Sequence, residues 1–342
     1  MIRPDLADTF TGKRVLVTGG LGFIGSNLAR ELVEMNAEVV LVDSLVPEYG
    51  GLLYNIEGIE DRVTVNISDV RDEHSLRYLV RGQDFLFNLA GQTSHLDSMT
   101  DPYTDLEINA RSQLSILEAC RHENPGVKIV FASTRQIYGR PQRLPVDESH
   151  PIAPVDVNGI NKTAGEWYHL LYDDVYGMRA AVLRLTNTYG PRMRVRDARQ
   201  TFLGIWLRRA LENEEILVYG DGSQRRDLTY VDDAVAGFLL TAARDETSGR
   251  VYNLGGEGSV SLGELANLVT SAAGGGTVTT IPFPADRKSI DIGDFYADWR
   301  LIADTLGWRP HTTLADGLRE TIAFYREHFA HYVPAADGTA AR

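Results

Sequence analysis

The segment VLVTGGLGFIGSNL constrains this chain more than any other. A β-branched apolar run, Arg14–Thr18 (RVLVT), ends in Gly19, Gly22 and Gly25 at a G-x-x-G-x-x-G spacing, and an amphipathic stretch, Ile24–Met35, follows at once. Glycines in that context let a strand turn tightly into a helix and let backbone N–H groups approach a pyrophosphate at the helix N-terminus. Further short apolar runs predict strands at Glu38–Val42, Val63–Asn66, Asp84–Asn88, Lys128–Ala132 and Ala180–Leu185. Helix-like stretches lie between them at Asp72–Val80, Tyr103–His122 and Asn158–Tyr176. Strands alternating with helices imply crossover connections and a mostly parallel sheet covered on both faces. In Tyr103–His122 the residues Leu106, Ala110, Leu114, Leu117 and Cys120 fall at helical spacing, which predicts the buried stripe and makes the single cysteine a small core residue.

Asp43 closes the second strand. A carboxylate there can accept hydrogen bonds from both hydroxyls of an adenosine ribose and repels a 2′-phosphate, and no arginine follows it, so NAD is favoured over NADP. The second half is broken by Gly220–Gly222, Gly255–Gly258, Gly274–Gly276, Pro282 and Pro284, with short helices expected at Val231–Ala243, Leu262–Ser271 and Leu314–Tyr325. The expected division is a cofactor domain over residues 1–186, a smaller interleaved substrate domain over 187–332 and a disordered tail over 333–342.

Charge and composition exclude several classes. The net charge of −13 argues against general nucleic-acid binding. Residues 184–226 run against that balance, with nine arginines, no lysine and five acids. Arginine suits bidentate phosphate recognition. No apolar run is long enough to span a membrane. With no apolar leader at the N-terminus and one cysteine, the expectation is a cytoplasmic protein without disulfides. Neither an HExxH nor a cysteine cluster suggests a metal.

The motifs TGGLGFIG, FNLAGQ, ASTRQIYG, NGINK, LRLTNTYGPR, GDGSQRRDLTYVDDAV and LGWRP occur in this order from about Lys13 to Tyr325. Together they resemble the extended short-chain dehydrogenase/reductase family, in particular its nucleotide-sugar epimerases and dehydratases, UDP-glucose 4-epimerase among them. The resemblance implies an α/β, Rossmann-type doubly wound parallel sheet with a smaller interleaved C-terminal substrate-binding domain. It implies NAD held by Gly19, Gly22, Phe23, Ile24, Gly25, Asp43, Asp69, Val70, Leu89, Ala90, Gly91 and Lys162. The partner is then a nucleotide-diphosphate sugar, placed by Gln92, Thr134, Arg135, Asn187, Arg226 and Arg287 or Lys288, with the arginine-rich stretch neutralising the diphosphate. The family's usual homodimer would use the Tyr103–His122 and Asn158–Tyr176 helices, the second offering Ile160, Trp167, Leu171 and Tyr172 as a spare apolar face.

The chain departs from the family pattern at its centre. Lys162 matches the family lysine and Thr134 its hydroxyl position, but the tyrosine expected four residues before the lysine is Asn158. An amide has no proton to cycle near neutral pH. The alternatives are an engineered asparagine, a slow or inactive protein, or another base, with His95, Asp97 and Tyr138 as candidates. The acid pair that dehydratases carry after the threonine is here Arg135 and Gln136, which argues against 4,6-dehydration, and an arginine there suits an anionic sugar substituent such as a uronate. The sequence therefore points to an NAD-dependent NDP-hexose 4-epimerase acting through a 4-keto sugar. NDP-sugar decarboxylation or dehydration, and non-catalytic binding of NAD and NDP-sugars, are the alternatives.

Overall fold

The structure, a computed structural model, describes residues 4–199 and 201–333. Seven strands form one sheet: β1 Arg14–Thr18, β2 Glu38–Asp43, β3 Val63–Ile67, β4 Phe85–Asn88, β5 Lys128–Thr134, β6 Ala180–Leu185 and β7 Val251–Leu254. Their order is β7-β6-β5-β4-β1-β2-β3, and every neighbouring pair is parallel. The strand order reverses between β1 and β4, which opens a crevice at the carboxyl ends of the strands, the place where sheets of this kind bind ligands. This is the doubly wound α/β fold that the alternation of strands and helices predicts.

The pleat divides β1 between two cores. Val15 and Val17 pack with Leu28 and Leu32 of the Phe23–Glu34 helix and with Phe238 and Leu239 of the Val231–Ala242 helix. Leu16 faces the other way, to Leu76, Ile116, Leu117 and Tyr172. The sequence assigns β1–β6 to within two residues at either end, but not β7. That strand is four residues long, carries a buried polar residue, Asn253, and shows no alternation because both faces are covered.

The stretch from Pro102 to Glu123 is helical throughout, but it is not one regular helix. Pro102–Leu106 and Ser112–Glu123 are joined by a π-helical turn, Glu107–Arg111. The extra residue per turn advances the phase, so the expected stripe is wrong at its start. Leu106 is exposed, and Asp105, Asn109 and Gln113 face inward instead. From Ile116 onward the expected face is buried, with Leu117 and Cys120 in the core. π-turns often mark functional sites, and this one carries polar residues to the back of the crevice.

The second half caps the sheet. Three two-stranded pairings hold it: Asn187–Tyr189 with Leu228–Tyr230, Glu215–Tyr219 with Thr277–Ile281, and Arg225–Arg226 with Val260–Ser261. The helices Phe202–Leu211, Leu262–Ala273 and Leu314–Tyr332 pack among them. Residues 187–250 leave the first sheet and β7 returns to it. Of the 333–342 tail only Val333 lies within the described residues, and its side chain is buried in the main core. Among the described residues no helix is long and apolar enough to cross a membrane.

Candidate active site

A cleft of about 770 Å³ runs along the carboxyl ends of the strands and under the cap. At one end it is lined by the β1 turn. Gly19 has φ +67°, and a Cβ built on Gly25 would lie 2.2 Å from the Gly19 carbonyl oxygen, so only glycine allows the helix to start this close to the strand. Phe23 and Ile24 of the same turn line the cleft, as do Asp69, Val70, Leu89, Ala90 and Gly91. Beneath them Thr18 Oγ1 accepts from the N–H groups of Leu89 and Ala90 and donates to Asn88 Oδ1. Asn88 in turn reaches His169 Nε2, whose Nδ1 is 2.7 Å from the Gly165 carbonyl. Burial pushes the His169 pKa down to about 4, so the ring is a neutral strut.

Asp43 Oδ2 accepts from the Leu21 N–H at 3.1 Å and Oδ1 from the Leu45 N–H at 2.9 Å. Asp43 lines the cleft, and a carboxylate bonded once at each oxygen retains acceptor capacity for two vicinal hydroxyls. Gly51 lies so close that a Cβ there would be 2.5 Å from Oδ1. Arg71 pairs with Asp69, which itself lines the cleft. Asp43→Ala is expected to weaken NAD far more than NADP, measured by titration of both. NADP binding as tight as NAD in the unmutated chain would contradict this.

The middle of the cleft holds Thr134, Lys162, Asn158, Gln92 and His95. Ser133 is turned away to Glu166 Oε2 at 2.8 Å. Thr134 Oγ1 accepts from the Gln136 N–H at 3.2 Å, which leaves its own proton to donate into the cleft. Lys162 Nζ lies 4.6 Å from the centre of the Phe131 ring, and burial lowers its pKa to about 8 against the opposing pull of Asp105 and Glu166.

Asn158 is buried, and its conformation is fixed by its neighbours. Nδ2 donates to the Gln92 carbonyl at 2.8 Å and to Asp105 Oδ2 at 3.0 Å. Asn109 Nδ2 donates to the same two acceptors, at 2.9 and 3.0 Å. Two amides and two acceptors thus close a square, and Asn161 Nδ2 adds a bond to Asp105 Oδ1 at 2.8 Å. Because both partners of Nδ2 only accept, the amide cannot be flipped. Asp105 and Asn109 are absent from the sequence reading. Their i, i+4 spacing with Gln113, a polar stripe in an apolar helix, was the available signal.

Of the three candidate bases, Tyr138 lies outside the cleft. It is fully buried, its hydroxyl donates to Asn253 Oδ1 and accepts from Arg184 Nη1, and burial raises its pKa to about 12. Asp97 lines the cleft and lies 3.5 Å from Arg199. His95 lines it with Nδ1 3.1 Å from Asp156 Oδ2.

At the far end Arg135, Asn187, Arg226 and Arg287 line the cleft, with Arg199 and Arg209 beside them, whereas Lys288 does not. The other six arginines of residues 184–226 do not line the cleft; Arg184, Arg194 and Arg208, for example, pair with Glu166, Asp197 and Glu212. Arg226 is buried, donates to the Arg225 and Gly293 carbonyls and faces Asp291 at 3.6 Å. Its neighbour Asp227 is turned away, accepting from the Ala297 N–H. Arg135 Nη2 donates to Asn187 Oδ1 at 3.2 Å, its Nη1 is buried without a partner, and its guanidinium lies 5.4 Å from the centre of the Phe295 ring.

Comparison with known proteins agrees with this geometry. Residues 15–255 match the family described as NAD dependent epimerase/dehydratase. A putative UDP-glucose 4-epimerase of Methanocaldococcus jannaschii is 31% identical over 315 residues, 92% of this chain and 99% of its own. Among solved structures, the UDP-glucose 4-epimerase of Thermotoga maritima with UDP-glucose is 29% identical with a TM-score of 0.82, covering 92% of this chain and 99% of that one. The dTDP-glucose 4,6-dehydratase of Streptomyces venezuelae with NAD bound is 26% identical with a TM-score of 0.85, covering 94% and 99%.

Proposed function

The chain belongs to the NAD dependent epimerase/dehydratase family, whose cofactor is NAD, and on that premise we propose that it inverts C4 of an NDP-hexose through a transient 4-keto sugar. One observation carries this reading: a single cleft joins an end shaped for an adenosine ribose and pyrophosphate to an arginine-lined end, with Thr134 and Lys162 between. The cofactor, when bound, takes a hydride from the sugar carbon and gives it back. Thr134 donates to the sugar oxygen and Lys162 supplies a cation beside the reacting centre, where it stabilises developing negative charge.

The absence of a carboxyl group after Thr134 favours epimerisation over loss of water. The unpartnered Nη1 of Arg135 suits an anionic group on the sugar. Incubation with a panel of UDP- and dTDP-sugars, followed by NMR, is expected to give C4 isomers of unchanged mass. A product lighter by water or carbon dioxide would transfer the chain to dehydration or decarboxylation. A second reading, non-catalytic binding of the same ligands, rests on Asn158, and absence of any product across the panel would favour it.

The diphosphate falls to Arg226, Asn187 and Arg287. Arg226→Ala removes a charge-assisted contact and is expected to cost about 1.5–3 kcal/mol of nucleotide-sugar binding. NAD affinity should hardly change, so one calorimetric series on both ligands checks it. We also propose a homodimer. Ile160, Trp167 and Leu171 are more than half exposed on one face of the Val157–Tyr176 helix, and Tyr103 and Leu106 are exposed on the adjacent one. Tyr172 does not belong to that face, being buried with its hydroxyl on Glu118 Oε1. Light scattering at micromolar concentration should give twice the chain mass, and Trp167→Glu should lower it.

A further inference from the structure

We propose that His95 and Asp156 form an acid–base dyad that moves the sugar hydroxyl proton, the task left open where Asn158 stands; this rests on the nucleotide-sugar reading above. The chain needs such a group. Oxidising a hydroxyl to a ketone requires an acceptor for its proton, and Asn158 cannot be one. Of the two tyrosines lining the cleft, Tyr219 lies under the Arg287 guanidinium, and burial raises the pKa of Tyr49, which makes it a poorer base.

His95 stands at the start of the His95–Thr100 helix, directly after its capping residue Ser94, with its side chain about one-third exposed to the cleft. Its Nδ1 is 3.1 Å from Asp156 Oδ2. The Asp156 side chain is fully buried and held from three sides. Oδ1 accepts from the Gly159 N–H at 2.7 Å as the cap of the Val157–Tyr176 helix, and Oδ2 accepts from Gln136 Nε2 at 2.7 Å. Nδ1 is buried and, although this close to the carboxylate, is not aligned for a hydrogen bond to it in this structure; a small rotation of the ring would align them, placing the ring proton on Nδ1 and leaving Nε2 as the basic atom. Burial pushes the Asp156 pKa up, but the contacts of His95, Gly159 and Gln136 outweigh it and leave the group low, hence ionised.

The dyad is tied to the reacting centre from both sides. Gln136 follows Thr134 closely and donates its own N–H to the Thr134 hydroxyl. Ser98, one turn after His95, accepts the Asn158 N–H at 3.2 Å. In the step itself the sugar O–H bond breaks and its proton goes to the Nε2 lone pair. The hydride from the same carbon goes to NAD, the oxidant of the family reaction, and C–O becomes C=O. Return of the hydride to the other face of the carbon and of the proton from Nε2–H to the oxygen closes the cycle with no net redox change.

Two variants test this, His95→Gln and Asp156→Asn. The asparagine keeps the helix cap, since its Oδ1 can still accept the Gly159 N–H. Two quantities are read: turnover against pH, and nucleotide-sugar affinity by calorimetry. The charged groups facing this end of the cleft besides Asp156 are Asp97 with its partner Arg199, Arg135 and Lys162. His95→Gln should lower kcat by about 10²–10⁴-fold with affinity within about threefold. Asp156→Asn removes the anion facing Nδ1, so the acid limb of the kcat profile should move to lower pH. An acid limb unmoved in Asp156→Asn, or a His95→Gln variant within about threefold of the unmutated kcat, would overturn the dyad and leave the nucleotide-sugar reading standing. An unmutated chain that converts no sugar of the panel would overturn both.

Discussion

Turnover by the Asn158→Tyr variant is expected to fall by about 10²-fold, although the substitution installs the residue that the family resemblance implies at that position. Asn158 is one corner of the square formed with Asn109, Gln92 and Asp105. A phenol has one proton to donate, so it cannot replace two amide donors, and the buried Asp105 carboxylate loses one of its three amide contacts. The larger ring has no room in that square and must enter the cleft, where displacement of the sugar by about 1 Å costs on the order of 10²-fold in rate. Steady-state kinetics of both proteins on the nucleotide-sugar panel, with bound NAD measured in each, decides the matter. A variant that turns over faster would show the asparagine to be a lost base and the pocket to be tolerant of the ring.

The second large effect is on stability. Arg184 and Glu166 form an ion pair at 2.5 Å with almost no exposure, and Glu166 Oε2 also accepts from Arg184 Nε and from Ser133. Glu166→Ala leaves the Arg184 guanidinium buried without its counter-charge, which is expected to cost about 3–5 kcal/mol. Thermal unfolding should show a Tm lower by several degrees, at roughly 1.5 °C per kcal/mol for a chain of this length. The double variant Glu166→Leu/Arg184→Met removes both charges at similar volume and should recover most of the loss. If single and double variants unfold alike, the unpaired charge is not the cause and the lost packing is. Activity is a poor readout for this pair, because Ser133, its neighbour in the network, precedes Thr134.

The parts of the site that were legible in the sequence are those whose cause is local. Gly19 and Gly25 announce a turn because the contact they permit, Cβ against carbonyl, is made six residues away along the chain. Asp43 is legible because a strand end fixes where its side chain stands. Asp156, not singled out in the sequence, caps the Val157–Tyr176 helix through its Oδ1 alone. What its Oδ2 faces depends on where the His95 helix crosses, which no local pattern contains. The square around Asn158 is hidden in part for that reason too: the spacing of Asp105, Asn109 and Gln113 marks a polar stripe, but the π-turn that carries it inward defeats a count at 3.6 residues per turn, and its partner Asn158 lies on another helix. Arg226 was placed at the diphosphate end by motif, but its nearest acid turned out to be Asp291, distant in sequence, rather than the adjacent Asp227. Tyr138 is a candidate base only through the family resemblance of its segment, and its hydroxyl is consumed by Arg184 and Asn253.

The position of β7 bears on how the chain is made. Residues 186–250 separate β6 from the strand that covers its outer edge, Val182 pairing with Val251 and Leu185 with Leu254. On the ribosome, where synthesis runs at about 5–20 residues per second, the first six strands emerge several seconds before their seventh. During that interval β6 presents an unpaired, apolar edge of the kind that seeds association with other chains. A fragment ending at residue 186 would carry this exposed edge permanently. The cofactor-binding half is therefore expected to aggregate when expressed alone, and to gain solubility when Arg250–Leu254 is supplied in trans as a peptide. The chain's assembly is in this sense finished from its far side, and nascent chains would be most in need of chaperone protection between the exit of residue 185 and that of residue 254.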